Sequence, residues 1–190
     1  TDVTYRRRNS SPRHLAEIPD WPLGGVSDDT LLTLLSIKAL NSTSPTTART
    51  RFIELLKENL PVLRGLGPTT RAAVGLPVKE SEVHFIGNSN GAMMRTALLG
   101  MGFTHDDDLN RRIWITEIAE ATHSHERAIA TSLIASKLFS QLLFDTTINL
   151  QKSAEDEARA IGYEEFFTEH FDINSQVSLD PLHTLKAVIS

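Results

Sequence analysis

"DDDLNRRIWITEIAEATHSHERAIATSLIASKLFSQLLF", residues 106–144, decides the fold class. It reads as two helices interrupted by a polar break from Thr122 to His125. The longest apolar stretch of the chain, Ala128 to Phe144, lies in its second half. Lys137, Gln141 and several hydroxyl residues interrupt that stretch, which predicts a buried helix and not a membrane span. Upstream, "SDDTLLTLLSIKAL" carries leucines and Ile37 on nearly every side, predicting a largely buried helix that starts near Ser27. Pro45 in "NSTSPTT" marks the next boundary. "ARTRFIELLKENL" follows as an amphipathic helix, with Phe52, Ile53, Leu55, Leu56 and Leu60 as core candidates. "RGLGPTTRAAVG" predicts a turn and a short helix, and a further helix is expected from about Asn90 to Leu99. Downstream, helical patches are expected at Ala154–Ile161 and from Pro181 onward. Strand alternation, hairpin dipeptides and internal repeats are not visible. The expected fold is therefore all-α. Short, heterogeneous helices favour a compact irregular orthogonal packing over a regular four-helix bundle.

Composition narrows the function. The chain has 190 residues, enough for a single domain spanning 1–190. Its net charge of −5 offers no broad basic surface, so a nucleic-acid partner is not expected. The only dense basic run, Arg6–Arg8, reads as a solvated terminus. Residues 1–23, with Pro12, Pro19 and Pro22, read as an irregular leading segment before the Gly24-Gly25 pair. There is no cysteine, so any metal must be held by oxygen or imidazole. A signal pattern and a membrane span are both lacking, and a cytoplasmic monomer is expected.

Four stretches could carry chemistry. Ser27-Asp28-Asp29-Thr30 opens a helix, and it suits either an N-cap or a set of hard oxygen ligands for a divalent cation. The two are compatible, because adjacent carboxylates repel unless positive charge lies between them. "GNSNGAMMRTALLGM", residues 87–101, runs from a polar loop into an apolar helix. It suits an anion such as phosphate, or an ordinary turn and cap. In "THSHE", residues 122–126, the histidines stand at i and i+2 and cannot face the same way. A paired zinc site is thus improbable, while one histidine can hydrogen-bond a ligand as the other is solvated. The glycines of "RGLGPTTRAAV", residues 64–74, either allow close approach of a ligand or punctuate a loop. The run Asp106–Asp108 reads as a solvated loop and helix start.

Taken in order, "SDDT…RGLGPTTRAA…GNSNGAMMRTALLGM…THSHERAI…HTLKAV" closely resembles the ADP-ribosylglycohydrolase family from about Gly24 to the last residue. The most specific parts are Ser27–Thr30 and Ser89–Arg95. The resemblance implies a compact all-α domain around two magnesium ions. It implies hydrolysis of the glycosidic bond at the ribose C1 of ADP-ribosylated side chains or a related ADP-ribose conjugate. By resemblance, Ser27, Asp28 and Asp29 are ligands of the first half of the metal centre, with Asp28 and Asp29 the catalytic pair. Ser89, Asn90, Gly91 and Ala92 resemble the loop that holds the diphosphate or adjoining ribose, and His123 the ligand-contacting histidine. Gly65 and Gly67 would line the nucleotide cleft. The expected partners are an ADP-ribosylated protein or an ADP-ribose-containing small molecule.

Two departures set a further expectation. No Gly-Asp-Ala-Leu-Gly type motif precedes Gly24, and no Gly-Gly-Asp-x-Asp-Thr type motif follows "PLHTLKAVIS". The chain is therefore expected to be a domain truncated at both ends, weak in magnesium binding and inactive by itself. A non-catalytic ADP-ribose-binding or crystallin-like relative is the alternative.

Overall fold

The computed structural model describes residues 26–104, 106–144, 147–172 and 179–190. The expected irregular segment 1–23, with Arg6–Arg8, and the Gly24-Gly25 pair lie outside the described residues. Among the described residues all regular structure is helical, as the periodicity requires. The order is α1 (Asp28–Leu40), α2 (Pro45–Asn59), α3 (Pro68–Ala73), a 3-10 turn (Glu80–Phe85) and α4 (Gly91–Thr96). Helix α4 tightens directly into a 3-10 helix (Ala97–Gly102). There follow α5 (Asp108–Glu120), α6 (Glu126–Leu142), α7 (Leu150–Ala160), α8 (Glu165–Thr168) and α9 (Pro181–Ile189).

Helix α6 is the hub: α4, the 3-10 helix after it, α5, α7 and α9 all pack on it. Its sequence explains how. Ala128, Ala130, Thr131, Ser132, Ala135, Ser136 and Ser140 are buried, and small side chains let neighbouring backbones approach closely. The buried hydroxyls are satisfied within the helix itself. Ser132 Oγ donates to the Ala128 carbonyl at 2.7 Å, and Ser136 Oγ to the Leu133 carbonyl at 2.8 Å. On one flank, Leu32, Leu35, Phe52, Leu56 and Leu63 fill the space between α1 and α2. Phe52 is fully buried, a burial worth about 1.5–3 kcal/mol relative to an exposed ring. On the other flank, Ile134, Leu138, Ala158, Phe166, Leu182 and Leu185 join α6, α7, α8 and α9.

The helix ends follow capping chemistry. Ser44 accepts from the Thr47 amide at 3.2 Å with Pro45 as the first helical residue. Asp180 accepts from the Leu182 and His183 amides at 2.9 and 3.0 Å, again before a proline.

Several expectations are corrected. Helix α1 is buried on one face only: Leu34 and Ile37 are about half exposed, because the packing on α2 and α4 fixes which side turns inward. The expected Asn90–Leu99 helix keeps α-geometry only to Thr96. Helix α7 starts at Leu150, where Asn149 caps the Lys152 amide at 2.9 Å, and not at Ala154. The 3-10 turn Glu80–Phe85 and the one-turn α8 were not anticipated. No described helix is long and apolar enough to cross a membrane.

Candidate functional site

The first half of the site is the start of α1. Ser27 takes the extended N-cap conformation, yet its side chain makes no capping hydrogen bond. Asp28 and Asp29 follow in the first turn, all three residues half-buried. The Asp28 amide donates to the Arg64 carbonyl at 3.0 Å, which ties the helix start to the Arg64–Gly67 loop. Gly65 sits at φ +83°, a region that favours glycine. A Cβ there would stand 3.1 Å from Asp28 Oδ1, so the carboxylate lies directly over bare backbone. Beside it opens a cavity of about 630 Å³, lined by Leu60, Leu63, Gly65, Leu66, Arg71 and Leu76.

The second half is the loop Gly87–Ala92. The Gly87 amide donates to the buried Thr69 Oγ1 at 3.1 Å, and the His125 amide donates to the Gly87 carbonyl at 3.2 Å. The Asn90 amide donates to the Leu179 carbonyl at 2.9 Å, and Asn90 Nδ2 to Thr184 Oγ1 at 3.2 Å. Three remote segments thus pin one loop. Residues Gly65 and Thr69 are four apart in sequence, a span of at most about 14 Å even when fully extended. The same short segment therefore touches the Asp28 carboxylate at one end and this loop at the other.

Behind the loop runs a chain of polar groups, Arg95 and His123 buried and Ser89 and Thr122 half-buried. Ser89 Oγ lies 3.0 Å from His123 Nε2, and Thr122 Oγ1 lies 2.8 Å from His123 Nδ1. Arg95 Nη2 donates to Thr122 Oγ1 at 2.7 Å and to the Ile118 and Ala119 carbonyls at 2.9 and 3.3 Å. Those carbonyls end α5, where the helix dipole favours a cation. The Arg95 guanidinium also stacks 4.6 Å from the Phe52 ring centroid. Burial pushes Arg95 down to about 9, so it stays charged at neutral pH. Burial, with the Arg95 charge second, pushes His123 down to about 3, so the imidazole is neutral.

The expected residues fall into distinct places. Asp28 meets Gly65, while Ser89 and Gly91 meet His123; a Cβ on Gly91 would stand 3.3 Å from His123 Nε2. His123 is only 1% exposed, and its ring meets the loop through Ser89. His125 is exposed and caps α6, its Nδ1 accepting from the Arg127 amide at 3.2 Å. Ala92 is fully buried, and the Asn90 side chain is turned to α9. A Cβ on Gly67 would meet nothing within 4 Å, so the tight approach belongs to Gly65. Helix α4 has fewer than two turns, so the polar groups offered to a ligand are those of the loop and not of a long helix dipole. Asn88 Oδ1, in that loop, is buried without a hydrogen-bond partner. Thr69, Thr122 and Arg95 were not singled out from the sequence. Arg95 had a signal: it is the one cation in the apolar run "AMMRTALLGM".

The donor set at α1 suits a hard cation. Two adjacent carboxylates and a hydroxyl not used in capping are oxygen ligands of the kind magnesium takes. Among the described residues, no group of three or more His, Asp or Glu side chains is arranged to hold a metal ion by itself.

No curated protein matches the chain. The family model described as ADP-ribosylglycohydrolase matches residues 2–185, which takes in the first four motifs above and the start of the last, His183–Leu185. With an all-helical fold and a match over nearly its whole length, the chain belongs to the ADP-ribosylglycohydrolase family.

Proposed function

We propose that the protein is a magnesium-dependent hydrolase that cleaves the glycosidic bond of ADP-ribosylated protein side chains or of a related ADP-ribose conjugate. Family membership supports a glycohydrolase acting on ADP-ribose-containing substrates. The observation that carries the finer reading is the single segment Gly65–Thr69, which touches both the Asp28 carboxylate and the Gly87–Ala92 loop.

Ser27, Asp28 and Asp29 would hold one side of the metal centre. Magnesium bound there supplies positive charge that grips ribose hydroxyls and acidifies a water. Cleavage at an anomeric carbon builds positive charge on the sugar, and Asp28 and Asp29, acting as ligands, would offset the metal's own charge beside it. The loop orients the other end of the substrate. Ser89 offers a hydroxyl and the Asn88 amide an acceptor oxygen, while loop amides other than those of Gly87 and Asn90, which are already bonded, would serve the diphosphate. With a chain charge of −5, neutralisation of a dianionic diphosphate must come from such local groups.

The test is release of ADP-ribose by the full-length protein from arginine- and serine-linked ADP-ribosyl peptides, with magnesium or with chelator. Asp28→Asn and Asp29→Asn should each lower turnover at least about a hundredfold, some 2.7 kcal/mol of transition-state stabilisation, with the helical circular-dichroism signal unchanged. Turnover that survives chelation, or either variant running at the parent rate, overturns the proposal.

A further inference from the structure

The chain Arg95–Thr122–His123–Ser89 admits two arrangements of protons, one for each neutral tautomer of His123. A guanidinium can only donate, so Arg95 Nη2–H fills one lone pair of Thr122 Oγ1 at 2.7 Å. With Nδ1 protonated, Thr122 Oγ1 accepts twice and its own hydrogen meets no other acceptor among the described residues; with Nδ1 bare, the Thr122 hydroxyl donates to it at 2.8 Å. In the second arrangement the neutral imidazole carries its proton on Nε2. That proton is donated to Ser89 Oγ at 3.0 Å. The Ser89 hydroxyl hydrogen then has no acceptor among the described residues and points out of the chain.

Resting on the ADP-ribose reading above, we propose that Arg95 and Thr122 are positioning residues. They lock His123 as the Nε2–H tautomer, and so make Ser89 a hydrogen-bond donor to an acceptor oxygen of the bound ligand. Three observations support a directed relay and not general packing. Arg95 is 2% exposed and, among the described residues, forms no ion pair with a carboxylate; its polar contacts are carbonyls and this one hydroxyl. His123 is 1% exposed and stays neutral, so it cannot donate from both nitrogens. Gly91 leaves the Ser89–His123 contact uncovered, because a side chain there would press on Nε2 at 3.3 Å.

The experiment uses the ¹⁵N-labelled full-length protein, with the His123 tautomer read by long-range proton–nitrogen correlation and affinity read with ADP-ribose. The parent protein should show Nε2–H. Thr122→Val keeps the shape, removes the donor, and should lower ADP-ribose affinity about tenfold while the Nε2–H tautomer loses its exclusive population. Thr122→Ser should restore both. Ser89→Ala should weaken binding by a similar factor, and adding Thr122→Val to it should cost nothing further, since both act through one hydrogen bond. An Nδ1–H tautomer in the parent, or additive losses in the double variant, overturns the proposal. If the parent shows Nε2–H but binds no ADP-ribose, the tautomer lock stands and the ligand assignment falls.

Discussion

At the scale of single residues, His123 turns burial into a pH dependence. Folding holds its imidazole at about 3, against an ordinary value of 6.5. Below about pH 6.5 the unfolded chain binds a proton there and the native chain does not. The stability that neutral His123 contributes is therefore complete above about 6.5 and is lost as pH falls toward 3. The slope is at most about 1.4 kcal/mol per pH unit. Urea midpoints measured between pH 7 and 5, above the range where carboxylates protonate, should fall with acid. The fall should flatten in His123→Gln; an unchanged slope in that variant assigns the effect elsewhere. The contrast between His123 and His125 was legible, because an i, i+2 pair cannot share a face. Arg95 was not. Its neighbours along the chain are apolar, but its partners Ile118, Ala119 and Thr122 lie 23 to 27 residues away. Only the folded chain shows why a cation belongs there.

At the scale of elements, α6 illustrates how far periodicity carries. The pattern in residues 106–144 placed α5, the break and α6 correctly, because both helices are long and their apolar positions recur. It failed where the signal was polar or short. Helix α7 opens with Leu150, Gln151, Lys152 and Ser153, and its start is set by the Asn149 cap. The one-turn α8 has too few residues to display a period. Nor does the sequence alone reveal why Gly100 stands where it does. A Cβ on Gly100 would overlap the Ser136 carbonyl of α6, backbone that cannot swing aside as a side chain could. Gly100→Ala should destabilise the protein by about 3 kcal/mol or more, read as a drop in thermal midpoint. Gly102→Ala is the matched control: its Cβ meets only Leu40 Cδ1 at 3.9 Å, and the midpoint should move little.

At the scale of the whole molecule, an ion network joins three helices. Glu157 of α7 is 2% exposed and accepts from Arg111 at 2.6 Å and from Arg112 at 2.8 Å, both on α5. Arg111 reaches on to Ser136 Oγ and the Leu133 carbonyl of α6, while Lys137 of α6 pairs with Asp108 at 2.7 Å. Removing one partner leaves buried charge uncompensated, so Glu157→Gln should cost about 3–5 kcal/mol in chemical denaturation. The double change Arg111→Met, Glu157→Leu should cost less than that single one; a larger cost would mean the network is worth more than its desolvation. These contacts span 22 to 46 residues and leave no trace in local pattern. The all-helical class and the order of the motifs were legible because both are written locally. That the motifs meet through Gly65–Thr69 was not.

That five-residue bar has a mechanical meaning. The start of α1 and the Gly87–Ala92 loop are tethered at its two ends, one by the Asp28 amide on the adjoining Arg64 carbonyl and the other by Thr69 Oγ1. As long as those two ties hold, the chain between them caps how far helix and loop can part on that side, and any opening has to come from the opposite one.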